Sequence, residues 1–421
     1  MDVYEVFKPT GVPTTTYVDR GDLNLEKQLI GAIKTPGMIV SLSGPSKSGK
    51  TVLVKKVVDP DLLITIYGAG IKSAEMLWDR VLNWMESPAQ ISKTTGHSTG
   101  AELNAEGSAK IGKWVAEAEG RAGAKATYDY ERTTEITSER NGIDQVVKEI
   151  AESDFVLFID DFHYMPRDIQ QDIGRHIKEA AERGVSICTA SVPHRADDVV
   201  RGNTELRGRV HGIDFAYWST EQLKAIAYQG FSQLNVELDE DSVCKIAAES
   251  FGSPQLMQQI CLQACLKLDV HDTYCRPQAI TLTGSDLPNI LEQASTTTDF
   301  SSLLEALHNG PKQRGTTRTQ FNFTDGSSGD VYRCILLAIA SDPPRLSFPY
   351  DDIYSRTREV CVDDAPAGSS VASALEQLPG LAANIETNPV LEWDEDVLDI
   401  VDPYFLYYLR CSSRMRYLQR P

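Results

Sequence analysis

The sequence predicts an α/β protein: a parallel sheet layered with helices, followed by an all-α region and a C-terminal winged helix. Three observations carry that prediction. Apolar runs of strand length alternate with amphipathic stretches through the first half of the chain. From Ser219 to about Gly310 the periodicity is helical throughout. Three further helical stretches then precede two short runs, Val390–Trp393 and Val397–Val401, that read as a two-stranded wing.

A length of 421 residues suits about three domains, and 41% hydrophobic with 24% charged residues is an ordinary globular balance. Residues 1–36 form an N-terminal lead that ends in a helix from about Leu23 to Lys34. Leu25, Leu29, Ile30 and Ile33 share one face of that helix, and Thr35-Pro36-Gly37 stops it. Residues 37–218 form the α/β core, with strands expected at Met38–Ser43, Leu62–Tyr67, Phe155–Asp160, Val185–Ala190 and Ile213–Tyr217. All but the last are continuous apolar runs, as strands covered on both faces should be. Helices at Lys50–Val58, Ser73–Met85, Ile143–Ala151 and Arg167–Arg183 lie between them.

Residues 87–141 break this rhythm. Of these 55 residues, 27 are Ala, Gly, Ser or Thr, and a connection so long is either functional or mobile. Trp114, Ala116, Ala118 and then Ala126, Tyr128, Tyr130 alternate with polar residues around Gly120-Arg121-Ala122-Gly123. That pattern predicts a projecting β-hairpin with one aromatic face, against the competing reading of a low-complexity loop. Residues 219–310 form the all-α lid, with helices opening at Thr220 and spanning Asp239–Phe251, Pro254–Leu268 and Leu287–Ala294. A Gly/Ser/Thr-rich connector covers 311–329. Residues 330–421 form the winged-helix domain, with helices at Val331–Ala340, Tyr350–Val360 and Ser370–Leu378.

With 41 basic against 60 acidic residues the formal charge is −19, which disfavours nucleic acid and anionic membrane as partners. Residues 365–400, where a recognition helix would lie, hold seven acidic residues and no basic one. Cations for phosphate contacts are confined to the insertion (Lys110, Lys113, Arg121, Lys125) and the tail (Arg410, Arg414, Arg416, Arg420). Eight scattered cysteines with no C-x-x-C pair read as reduced, packed thiols, not a disulfide or zinc scaffold. The start, Met1-Asp2-Val3-Tyr4-Glu5, lacks a signal-peptide pattern, and no run approaches the roughly 18 apolar residues of a spanning helix. A cytoplasmic protein with no membrane partner is expected.

Gly44-Pro45-Ser46-Lys47-Ser48-Gly49-Lys50-Thr51 fits G-x-x-x-x-G-K-[ST] between an apolar strand and a helix. Its glycines let the backbone bend so that successive N–H groups cradle phosphate at a helix N-terminus. Lys50 would reach the β- and γ-phosphates and the Thr51 hydroxyl would hold Mg²⁺, so ATP and Mg²⁺ are the expected cofactors. Phe155-Val156-Leu157-Phe158-Ile159 then delivers Asp160-Asp161 to a strand end. Asp160 would hold the metal, through water, and Asp161 would orient the attacking water.

These motifs together resemble the AAA+ and STAND (signal-transduction ATPase) branches of P-loop NTPases, over roughly residues 15–410. The Asp-Asp pair is closer to STAND proteins, since typical AAA+ proteins carry Asp-Glu, and the shorter side chain implies slow turnover. The resemblance implies further roles. Ser191, in Cys188–Arg195, falls at the sensor 1 position, with Thr189 and Arg195 behind it. Arg209, in Glu205–Val210, aligns with the arginine finger that completes a neighbour's site. Gly252-Ser253-Pro254 is similar to the GxP motif, which would put Pro254 against the base, and the helix it opens lacks a sensor 2 arginine. Tyr17-Val18-Asp19-Arg20 occupies the place of a short hydrophobic-Gly-Arg motif, with Asp19 replacing the glycine and the Val18 backbone facing adenine. Local readings compete: a strand-end turn for Ser191, a solvated arginine for Arg209, a helix-opening proline for Pro254. His163 has no partner at ligand spacing and reads as structural.

The resemblance implies an ATP-binding, slowly hydrolysing switch that assembles as a homo-oligomer with ATP. No nuclease, TIR or protease signature is present, so the output falls to a separate effector, and bacterial antiviral defence is a role such proteins often serve. The alternative is a DNA-loading AAA+ ATPase of the initiator or transposition-regulator kind, supported by Arg209 and the winged helix and opposed by the charge. A nucleotide-bound scaffold with negligible turnover is a third reading.

Overall fold

The structure, a computed structural model, describes every residue except 22, 87–89, 93–136, 140–141, 193–205, 207, 283, 313–316 and 419–421. The chain forms two compact units, residues 27–42 with 57–213, and residues 1–26 with 43–56 and 214–421.

The first unit centres on a five-stranded parallel sheet. Its strands are β1 (Ile39–Ser43), β2 (Leu63–Tyr67), β5 (Val156–Asp160), β6 (Ser186–Ser191) and β7 (Val210–Asp214), in the order β2-β5-β6-β1-β7. Every residue of β1 and β5 is buried, which is why both read as unbroken apolar runs. Tyr67 pairs with Asp160 and Ile159 with Thr189, so Asp160 and Ser191 leave neighbouring strands at the same C-terminal edge. The expected strand Ile213–Tyr217 lies three residues earlier, at Val210–Asp214. Donation from Ile39 N–H to the Arg209 carbonyl (2.8 Å) starts its pairing with β1. At this sheet edge only Ile213 is buried, so the strand carries almost no apolar pattern by which to place it.

Helices Ala74–Trp84, Gly142–Ile150 and Arg167–Glu182 belong to this unit. Ser73 caps the first by accepting from Met76 N–H. The last is polar overall, yet it buries Ile173, Gly174, Ile177, Ala180 and Ala181 at helical spacing. Trp78, 1% exposed, keeps its indole N–H satisfied by His176 Nδ1 at 2.9 Å. Within the insertion, β3 (Gln90–Ser92) pairs antiparallel with β4 (Thr137–Glu139). The expected hairpin over Trp114–Tyr130 lies outside the described residues.

The second unit shares one apolar core across the lid and the C-terminal part. Ser219 and Gln222 form a capping box on helix Thr220–Gln233, and Asp239 and Ser253 cap Glu240–Ala248 and Pro254–Lys267. Helices Asp286–Ser295 and Ser301–Asn309 follow, and β8 (Val236–Leu238) pairs with β9 (Gln278–Ile280). The N-terminal Val3, Val6 and Phe7 are buried in this core. The Phe7 ring lies so close to Gly230 that a Cβ there would sit 2.3 Å from it.

After the short pair β10 (Phe321–Asn322) and β11 (Ser328–Gly329), helix Val331–Ala340 precedes β12 (Ser347–Pro349) and helix Tyr350–Glu359. The next helix runs over Gly368–Ala383, longer than the expected Ser370–Leu378, because it continues past Pro379. A proline removes one backbone donor and marks a stop in the sequence, yet Ala382 is buried beyond it and holds the last turn to the core. Strands β13 (Leu391–Asp394) and β14 (Val397–Ile400) complete an antiparallel sheet in the order β12-β14-β13. Their two-residue turn, Glu395-Asp396, has φ of 47° and 60°, the paired positive φ of a tight hairpin. Helix Pro403–Cys411 packs back through Phe405 and Tyr408 on Phe300, and Arg410 bridges to Glu249 at 2.6 Å.

Candidate functional site

Strand β1 runs directly into Gly44–Thr51, and helix Lys50–Val57 begins inside that segment. Lys47 and Gly49 adopt positive φ of 62° and 99°, with Ser48 between them. Such alternation turns neighbouring N–H groups into one anion-binding concavity. Gly44 is required by close approach: a Cβ there would lie 2.3 Å from the Phe215 Cβ and 2.7 Å from its carbonyl oxygen. Lys50 Nζ donates to the Gly44 and Pro45 carbonyls, both at 2.7 Å. The Ser48 hydroxyl is buried without a hydrogen-bond partner among the described residues. A cradle of this form, with a cation folded over it and an unsatisfied buried hydroxyl in it, fits a polyphosphate.

Segment Phe215–Trp218, with Phe215–Tyr217 expected to be strand, is instead irregular, and it joins the loop to the helices that follow Ser219. Phe215 N–H donates to the Ser43 carbonyl (2.6 Å), and the Trp218 indole donates to the Ser48 carbonyl (3.0 Å). Trp218 N–H donates to the Gly252 carbonyl (3.1 Å), and Gly252, at φ 73°, leaves no room for a Cβ beside Tyr217. Pro254 therefore opens its helix from a turn docked on Tyr217-Trp218, with Ser253 as the cap. The Arg20 guanidinium lies over the Trp218 ring at 5.3 Å and donates to the Ala216 carbonyl. Val18 is half-buried against the lid core two residues earlier. One segment thus gathers the Gly44–Thr51 loop, the Pro254 turn and the Val18–Arg20 stretch. Sequence reasoning missed Trp218, although an aromatic directly before the Ser219/Gln222 capping box was a legible signal that the chain turns inward there.

In the sheet unit, Asp160 is buried and its Oδ1 accepts from Asp161 N–H at 3.0 Å. Asp161 stands at φ 54°, a left-handed conformation that aspartate tolerates better than most residues. Gly68 packs against it so closely that a Cβ would meet the Asp161 carbonyl oxygen at 2.4 Å. Ser191 is buried at the end of β6, on the same sheet edge as Asp160. Thr189 is used by the sheet itself, donating to the Val40 carbonyl, and Arg195 lies outside the described residues. The His163 ring lies tilted against Tyr164 at 48°, with ring centroids 4.1 Å apart. Arg209 precedes β7 at the opposite, N-terminal edge, about half exposed and paired with Glu182 at 3.1 Å. It is not gathered with Asp160, Asp161 and Ser191.

No protein-family profile matches this chain, and no curated protein matches it. Solved structures do. The Walker-type ATPase PABY2304 of Pyrococcus abyssi aligns over 94% of this chain and 99% of its own, at 12% identity and a TM-score of 0.50. This chain has the fold of a Walker-type ATPase: an α/β core on a five-stranded parallel sheet, with helical regions. Cdc6p of Pyrobaculum aerophilum (14% identity, 99% of both chains, TM-score 0.43) and the ORC2 protein of Aeropyrum pernix (12%, 98% of both chains, 0.45) also align. At such identities the likeness concerns fold alone. Among the described residues, no helix is long and apolar enough to cross a membrane.

The C-terminal part carries an acidic helix cap, Asp402. Asp402 caps helix Pro403–Cys411 by accepting from Tyr404 N–H at 2.9 Å, and the Lys47 charge acts on its carboxylate. Burial raises its pKa above the usual carboxylate range, with Lys47 and the Tyr404 N–H pulling it back down. The folded state therefore holds this proton more tightly than the unfolded one. Its stabilising contribution is complete below the ordinary aspartate pKa and is lost as pH rises through the raised value. Asp402→Asn keeps the cap and cannot ionise, so its melting temperature is expected to lose that part of the acid-to-neutral decline. Melting curves recorded across that range for both proteins check this; parallel curves would show that Asp402 ionises as freely in the native state as in the unfolded one.

Proposed function

We propose that this protein is an ATP-binding, slowly hydrolysing switch that assembles with ATP and signals to a separate effector. The observation that carries the reading is Trp218, whose indole holds the phosphate loop at Ser48 while its backbone holds the lid turn at Gly252. A ligand that reshapes the loop is then felt at the lid, which is what a nucleotide switch requires.

Gly44–Thr51 would bind the phosphates, with Lys50 moving from loop carbonyls to phosphate oxygens. Thr51 and Asp160 would hold Mg²⁺, whose charge offsets that of the phosphates. Asp161 would orient water, Ser191 would report on the γ-phosphate end, and Val18 and Pro254 would border the base. The order helix, β12, two helices, β13 and β14 supports a winged-helix reading of the C-terminal part. Its acidic face, with no basic residue over 365–400, favours a protein partner over DNA.

Arg209 is assigned to a neighbouring copy, because it stands at the sheet edge away from its own acidic pair. Arg209→Ala is expected to lower phosphate release per chain about 10³-fold, within the arginine-finger range, at concentrations where copies assemble. In dilute protein it should change little. Equal loss at every concentration would mean that Arg209 acts within its own chain.

The test of the whole reading is the mass distribution without nucleotide, with ADP, and with a non-hydrolysable ATP analogue plus Mg²⁺. Growth with the analogue alone is expected. Constant mass in all three states would overturn the assembly half of the proposal, and growth only on added DNA would favour the initiator-type alternative.

A further inference from the structure

The C-terminal part holds a cysteine pair that the nucleotide reading does not use. Cys334 lies in helix Val331–Ala340, and Cys361 follows helix Tyr350–Glu359. Their sulfur atoms are 3.6 Å apart. Both belong to a small apolar cluster with Phe323, separate from the main core, in which Cys334 is fully buried and Cys361 is 8% exposed. The backbone at Cys361 is pinned: it bridges Phe323, while Thr324 N–H donates to the Val360 carbonyl and Val362 N–H to the Asn322 carbonyl, each at 2.9 Å. The roughly 2.05 Å of a sulfur–sulfur bond is about 1.5 Å shorter than the 3.6 Å between these sulfur atoms.

We propose that Cys334 and Cys361 form a reversible disulfide by exchange with a low-molecular-weight disulfide. Cys361, the more accessible sulfur, attacks as the thiolate, bonds to one sulfur of the small disulfide and expels the other as a thiolate. Cys334 then attacks the Cys361 sulfur and expels the second small thiol. Two protein thiols lose two protons and two electrons in all, and one small disulfide becomes two thiols. Burial raises both thiols above their ordinary range, so the exchange is slow at neutral pH and quickens as pH rises. The bond closes a loop between positions 27 apart, joining helix Val331–Ala340 to the end of helix Tyr350–Glu359, with Phe323 bridged to Cys361 beside it. It does not depend on the nucleotide reading.

The test uses the full chain, kept native and equilibrated against oxidised glutathione, then alkylated, digested without reductant and mapped by mass spectrometry. The expected result is a peptide pair joined through Cys334 and Cys361, about 2 Da lighter than the separate peptides and released by dithiothreitol. The melting temperature should rise on the order of 5–10 °C on oxidation. Cys361→Ser should lose both effects, whereas a Cys275→Ser variant, at an exposed thiol, should keep them. Alkylation of both cysteines without a link, glutathione trapped only elsewhere, or a link that forms only after denaturation would each overturn the proposal. Should Cys361→Ser fail to fold, the peptide map of the unmodified chain still decides.

Discussion

Lys50→Ala is expected to abolish ATP binding, with affinity falling about 10²–10⁴-fold. In the protein Lys50 Nζ already bridges the Gly44 and Pro45 carbonyls, so its cation sits over the loop that would take the phosphates. Hydrogen bonds to charged groups are worth roughly 1.5–3 kcal/mol each, and the variant cannot make those that Lys50 would give to the phosphate oxygens on leaving the carbonyls. Alanine also releases the two loop carbonyls. Calorimetric titration with ATP should therefore be read beside the melting temperature of the protein without nucleotide. Lost binding with little change in melting temperature is the expected pair of results. Retained affinity would remove Gly44–Thr51 from the nucleotide site and the switch with it.

The parts of this fold that were legible in the sequence are those where local chemistry and burial agree. β1 and β5 read as strands because every residue in them is buried, and helix Pro254–Lys267 was marked by the Ser253 cap and a proline in its first turn. The turn at Gly44–Thr51 was legible because positive φ and close approach each demand one residue type at one spacing. Edge strand β7 was displaced because only Ile213 of it is buried, and an edge needs little apolar pattern. Pro379 hid the end of its helix for the opposite reason, since packing at Ala382 outweighs a local stop signal. Trp218 was missed because its role comes from what it touches: Ser48 lies 170 positions away in the chain. The Cys334–Cys361 proximity is of the same kind, a product of helix packing that no spacing rule anticipates.

The same distinction shapes the expected result for Asp161→Asn: ATP affinity within about twofold of the original, and phosphate release lowered about 10²–10⁴-fold, the range ascribed to a positioned proton acceptor. Asp161 stands at φ 54°, where asparagine is as well tolerated as aspartate, so the exchange introduces no backbone strain. The Asp161 carbonyl that packs on Gly68 is untouched, as is the Gly68 N–H bond to the Asp160 carbonyl at 2.8 Å. Asp160, the proposed metal partner, keeps its own carboxylate. What the variant loses is one negative oxygen able to hold and orient water. Single-turnover phosphate release, measured beside nucleotide binding, separates that loss from a loss of affinity. Undiminished release would take Asp161 out of the chemistry and leave water positioning to another group. If the unmodified protein binds ATP yet releases no phosphate with Mg²⁺, the switch would have to run on exchange of bound nucleotide, and the aspartate following Asp160 would be explained by the left-handed turn it occupies.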